Sequence, residues 1–250
     1  MLDGTDLAVV GGTFLIAGAV KGIIGLGLPT ISLALLTVAL GLPQAMALLL
    51  VPSLFTNLWQ ATVGGHGIPI LRRLWPFLLC ATLAIWLGAM ALTRVEIHLL
   101  SALLGMLLAV YATVSLAGFR LTLTPRQEAW CGPLVGAANG VLTGMTGSFV
   151  VPGVLFLQAL GLTRDQLIQA MGILFTLSTL TLAVALQANR LLTAELGQAS
   201  AAGLIPALAG MVIGRRIRRG LSEEIFRRVF FVSLLILSAF ITFNAVTDHL

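Results

Sequence analysis

Gly18-Ala-Val-Lys21-Gly22-Ile-Ile-Gly25-Leu-Gly27-Leu-Pro29 interrupts an apolar stretch that runs from residue 7 to residue 40. A second interruption, Gly136-Ala-Ala-Asn139-Gly140-Val-Leu-Thr143-Gly144-Met-Thr146-Gly147-Ser148-Phe-Val-Val-Pro152, falls within the apolar residues 130–160, at the start of the other half of the chain. Glycine and proline disfavour a continuous helix, so each stretch predicts a break inside a hydrophobic segment. A repeated pair of interrupted segments is the pattern that marks the midplane binding sites of secondary transporters.

Composition fixes the solvent. Of the 250 residues, 58% are apolar and 9% are charged, against about 25% charged in soluble domains. The mean hydropathy is +1.06. Apolar runs near twenty residues recur along the chain, each enough to cross a hydrocarbon core of about 30 Å. The fold class is an all-α polytopic membrane protein made of two homologous halves in a lipid bilayer. The formal charge of +5 does not point to nucleic acid, because the arginines sit in short loops where positive-inside bias accounts for them. Cys80 and Cys131 lie in apolar segments without partner spacing, so neither a disulfide framework nor a metal site is expected, and no cofactor is called for. The acidic residues Asp3 and Asp6 do not suit a signal peptide, so the first apolar segment is expected to be retained.

Hydropathy and breakers divide the chain into a first repeat at 1–118, a linker at 119–129 and a second repeat at 130–250. The first repeat holds the broken segment 7–40 and spans near 44–63, 74–92 and 99–117. The second holds the broken segment 130–160 and spans near 167–186, 197–214 and 225–246. Short echoes recur in the same order: Ala45-Met46 with Ala170-Met171, and Glu96-Ile97 with Glu224-Ile225.

The broken segments admit two topologies. As re-entrant hairpins, they place Arg72, Arg73, Arg120, Arg126, Arg164 and the six arginines of 215–228 inside, leaving Arg94 and Arg190 outside. As single crossings with an unwound centre, they divide the arginines eight to five. Positive-inside bias favours hairpins, and these would make the halves an inverted repeat. A helix over 7–21 would be about 22 Å long, which is long for a half-membrane arm. Single crossings stay open and put the same residues at similar depth. Both topologies leave the N- and C-termini extracytoplasmic.

Unwound backbone in hydrocarbon must be buried in protein or line a wet cavity. Pro29 and Pro152 suit the first turn of a resumed helix. The amides of that turn, with the helix dipole, favour an anion. Ser148 is placed to cap one such helix, and Thr143 and Thr146 to offer hydroxyls. The competing reading is that the glycines only let helices approach closely. Lys21 costs about 2.5–3.5 kcal/mol inside a bilayer on insertion scales. It therefore suggests an anionic passenger, unless its stem snorkels to a headgroup. Asn139 stands at the matching place in the second half, so the duplicated site carries one charge and one amide.

Ser53, Asn57 and Gln60 share one helical face, and Thr176, Thr179 and Gln187 form a looser stripe in the matching span. Such stripes line a path or join helices. No carboxylate lies deep in a span, Asp6 and Asp165 being near the edges, and His66, His98 and His249 are peripheral. Gly147-Ser148 lacks the membrane-embedded histidine that an intramembrane serine protease requires. The substrate-binding candidates are Lys21, Gly22, Gly25, Gly27, Ser53, Asn57, Asn139, Gly140, Gly144, Thr146, Gly147 and Ser148.

The glycine order of 18–29, the Gly41-Leu-Pro43 turn, the span with Pro52 and Asn57, the block 136–152 and the closing Gly210-Met-Val-Ile-Gly214-Arg-Arg run resemble the sulfite exporter TauE/SafE family. The resemblance covers nearly the whole chain. It implies transport of a small sulfur-containing anion, sulfite or an organosulfonate, by a multi-pass protein that is not an enzyme. Lys21 departs from the small residues often found there in that family. Alternating access around the two breaks is the expected mechanism. A passive anion channel on the same site is the main alternative, and an intramembrane enzyme or a structural membrane protein the weaker one. The coupling ion is unspecified, and a homodimer is compatible with the sequence.

Overall fold

The computed structural model describes residues 3–118, 121–218, 220 and 222–247. Arg120, Arg219 and His249 lie outside the described residues. Eleven helices make up the described fold: α1 (Gly4–Ile24), α2 (Leu28–Leu40), α3 (Leu42–Leu48), α4 (Leu50–Thr62), α5 (Gly67–Leu92), α6 (Ile97–Ala117), α7 (Pro125–Thr146), α8 (Gly153–Gln158), α9 (Arg164–Ala188), α10 (Ala194–Ile217) and α11 (Glu223–Thr247). Six of them, α1, α5, α6, α9, α10 and α11, are long and apolar enough to cross a membrane, and α3 with α4 makes a seventh such segment bent by 46°.

Several helix starts outside the apolar core are capped by side chains. Asp3, Thr124 and Thr163 each form a reciprocal capping box with the residue three positions on, Asp6, Gln127 and Gln166. Inside the core three of the caps are glycines. Gly25 and Gly147 end α1 and α7 with φ of +82° and +72°, and Gly27 opens α2 at +105°. Only glycine enters this region without strain, so these three positions make the breaks.

The arms around each break are unequal. The 21 residues of α1 span about 31 Å and the 22 of α7 about 33 Å, whereas α2 has 13 residues and α8 only 6. The half-length arm expected before the first break is therefore a full-length helix, which removes the length difficulty of residues 7–21. Arg72 and Arg73 lie in the first turns of α5, because that helix starts at Gly67 rather than after the arginines.

Two pairs of helices approach backbone to backbone. A Cβ at Gly18 would lie 2.1 Å from the Ala207 carbonyl oxygen, and one at Gly22 would lie 2.4 Å from that of Met211. Across the other pair, a Cβ at Gly136 would meet Phe77 O at 2.3 Å, at Gly140 Ala81 O at 2.2 Å and at Gly144 Ile85 O at 2.2 Å. Residue numbers rise together along both contacts, so α1 runs parallel to α10, and α7 parallel to α5. Each first helix of one half thus lies against the third long segment of the other. The contacts begin just after Pro206 in α10 and Pro76 in α5.

Polar contacts gather the chain ends of several helices. Gln60 donates to Ile168 O at 2.7 Å, the His66 amide to Gln169 at 2.9 Å, Leu123 N to Ala159 O at 2.9 Å, and Arg73 to both Glu128 and Leu160 O. At the opposite end, Thr37, Gly41, Ile97, His98, Ile241 and Asn244 surround one cavity of about 260 Å³. The chain after α2 therefore returns to the end where α6 begins and α11 finishes, and α8 returns to the end where α7 begins.

Candidate functional site

Lys21 lies one turn before the first break, and its carbonyl accepts the Gly25 amide at 2.8 Å. Its side chain is 5% exposed. The ammonium donates to Thr56 Oγ1 at 3.1 Å and to Asn57 Oδ1, both on α4. Thr56 in turn donates to Pro52 O at 2.8 Å, so its hydroxyl presents a lone pair to the lysine. A lysine can only donate, which fixes the Asn57 amide with its oxygen inward and its nitrogen away. That nitrogen, and the Ser53 hydroxyl one turn earlier on the same face, are buried without a partner. Among the described residues, no carboxylate pairs with Lys21. The cluster is thus one buried cation with unspent donors around it.

The second break has a different interior. Asn139 is fully buried; its Oδ1 accepts the Gly153 amide at 2.9 Å and so anchors the start of α8, while its amide nitrogen is buried without a partner. Thr143 donates to Ser148 O at 2.9 Å, Thr146 to Leu142 O at 2.7 Å, and the Ser148 amide to Thr146 Oγ1 at 3.2 Å. These groups are committed to their own backbone. Pro152, not Ser148, occupies the N-cap of α8. A six-residue helix whose first amide is already taken offers little to an anion. Pro29 does sit in the first turn of α2.

The glycine candidates separate by geometry. Gly25, Gly27 and Gly147 form the breaks. Gly22, Gly140 and Gly144 face neighbouring backbones, where no side chain fits. The two breaks face α9 at different levels: a Cβ at Gly25 would lie 3.9 Å from Ile168, and Phe149 packs tilted against Phe175 with ring centroids 5.7 Å apart. Those levels are about 10 Å apart along the helix. Within the polar stripes, Gln60 joins α4 to α9, but Thr176 and Thr179 bond Gly172 O and Phe175 O of their own helix, a common alternative to cross-helix contact. Lys21 lines neither the cavity above nor one of about 320 Å³ beside Arg73 and Glu128.

Two residues outside the sequence candidates matter here. Thr56 shares the lysine with Asn57. Ser200, 1% exposed on α10, donates to Leu48 O at 2.7 Å and accepts from the Val51 amide at 3.0 Å. Their only sequence signal is a hydroxyl within an apolar span, which many structural residues share.

Interrupted helices, tight glycine contacts and six helices long and apolar enough to cross a membrane define a multi-pass membrane protein. The chain belongs to the sulfite exporter TauE/SafE family, whose model matches residues 10–241. No curated protein and no solved structure matches it. The family implies membrane export of sulfite or a related anion, by transporters rather than enzymes.

Proposed function

We propose that this chain exports sulfite or an organosulfonate by alternating access, with Lys21 as the anchoring cation. The observation that carries this reading is the lysine cluster: a buried ammonium without a carboxylate partner, beside an unpartnered Asn57 amide nitrogen and Ser53 hydroxyl. An oxyanion supplies the missing negative charge and acceptors for all of these donors at once. A cation supplies neither. The unwound glycines at 25 and 27 keep the site next to a point where the chain can pivot, and the second break, tied by Asn139, supports the opposite side.

The burial of Lys21, 5% exposed, favours a carrier over an open channel. The two halves are read as an inverted repeat, supported by the return of the chain after α2 to the end where α6 begins and after α8 to the end where α7 begins. The end rich in arginine is assigned to the cytoplasm by the positive-inside rule, which leaves both termini extracytoplasmic in an inner membrane.

Uptake of radiolabelled sulfite into proteoliposomes tests the reading. Saturable flux that falls at least about tenfold in Lys21→Ala is expected, given the strength of hydrogen bonds to charged groups. Flux that never saturates, or none at all, contradicts it.

A further inference from the structure

The bend between α3 and α4 has an identifiable chemical cause. Pro52 has no N–H, so the Leu48 carbonyl, four residues earlier, loses its helical donor. The Val51 amide also leaves the regular pattern, and the helix resumes when Ser53 N donates to Leu49 O at 3.0 Å. The Ser200 hydroxyl fills the gap from another helix. It donates to the orphaned Leu48 carbonyl and accepts from the orphaned Val51 amide. One hydroxyl meets both needs because it donates and accepts together. Alanine does neither. In a spanning segment, water is not at hand to replace it, and side-chain hydroxyls from neighbouring helices are a known substitute.

The consequence reaches the lysine cluster. Through their glycines, α10 and α1 lie backbone to backbone, so they act as one support. That support grips the bent segment at two points: Ser200 at the bend, and Lys21 about 9 Å further along α4. Ser53 is two residues past Val51, so any turn of the helix at the bend re-aims Ser53, Thr56 and Asn57 together. We propose that Ser200 is the positioning residue of this bend, holding α4 at the rotation in which those three side chains meet Lys21. The transport consequence rests on the sulfite reading above, but the bend itself does not.

The test places spin labels on Gln44→Cys and Trp59→Cys, exposed positions on α3 and α4, in a full-length chain carrying Cys80→Ala and Cys131→Ala. Dipolar spectroscopy in lipid nanodiscs then reads the bend directly. A straight helix would separate the two positions by about 22 Å along its axis. The parent protein and Ser200→Thr should give one narrow, shorter distance. Ser200→Ala should broaden it. Pro52→Ala combined with Ser200→Ala should narrow it again at a longer distance, because residue 52 regains an N–H for Leu48 O and the helix straightens. That double variant carries the test alone if Ser200→Ala does not fold.

An unchanged distribution in Ser200→Ala overturns the proposal, as does a double variant that keeps the parental distance. Sulfite uptake adds the second readout: the half-saturating concentration should rise roughly tenfold in Ser200→Ala and in the double variant, as expected of a small misplacement at a site. A changed distance with unchanged half-saturation overturns the positioning role. Absence of sulfite flux in the parent would defeat the sulfite reading instead, and the distances would still decide the bend.

Discussion

The two breaks share their outer face and differ in their interior. Gly18 and Gly22 press on α10 after Pro206 much as Gly136 and Gly140 press on α5 after Pro76. By this register Lys21 corresponds to Asn139, although α7 continues a full turn further before its left-handed glycine cap. Lys21 reaches across to α4, whereas the Asn139 oxygen turns back to Gly153; the amide nitrogens of Asn57 and Asn139 are both buried without a partner. The shared contact builds the bundle while the chemistry differs: one copy carries a buried lysine, the other a neutral amide whose oxygen anchors the start of α8.

The sharpest way to break this comparison is to remove the charge. Lys21→Ala should raise the half-saturating sulfite concentration about ten- to a hundredfold, the equivalent of about 1.5–3 kcal/mol for a charged hydrogen bond, measured as initial uptake against concentration. Next come the shared glycines. Gly22→Ala and Gly140→Ala each drive a Cβ into backbone and should cost about 1–3 kcal/mol of stability, as overpacking does. Their melting temperatures in detergent should fall alike, while Gly11→Ala, with open space around it, should not move.

Asn139→Ala separates the copies. It leaves the Gly153 amide buried without an acceptor, at about 1–3 kcal/mol. It should therefore lower the melting temperature while shifting half-saturation far less than Lys21→Ala does. The smallest effect belongs to Ser53→Ala. Its hydroxyl has no partner in the protein, so stability should hold, and half-saturation should rise about two- to tenfold, the worth of one neutral hydrogen bond of about 0.5–1.5 kcal/mol.

Much of this was legible in the chain. The apolar segments, the places of interruption, and Lys21, Ser53 and Asn57 as polar residues within apolar segments follow from hydropathy and helical spacing, but their meeting does not. The division of labour among the glycines was not. Gly22 and Gly25 look alike in sequence; one faces Met211 and the other adopts a left-handed turn, and only the distant helix separates them. Contacts across long separations were equally hidden. Thr56 meets a lysine 35 residues away, and Ser200 meets Leu48 across 152. The brevity of α8 escaped for a local reason: residues 150–160 are apolar enough for a helix throughout, but backbone geometry delays its start to Gly153.

The most direct test of the account compares the two copies as binding sites. Purified wild type, Lys21→Ala and Asn139→Ala would be titrated with sulfite while the melting temperature is followed, since a ligand that binds the folded state raises it. The account predicts a sulfite-dependent rise in wild type and in Asn139→Ala, from a lower starting temperature in the latter, and none in Lys21→Ala. A rise that persists in Lys21→Ala, or one lost only in Asn139→Ala, would contradict it.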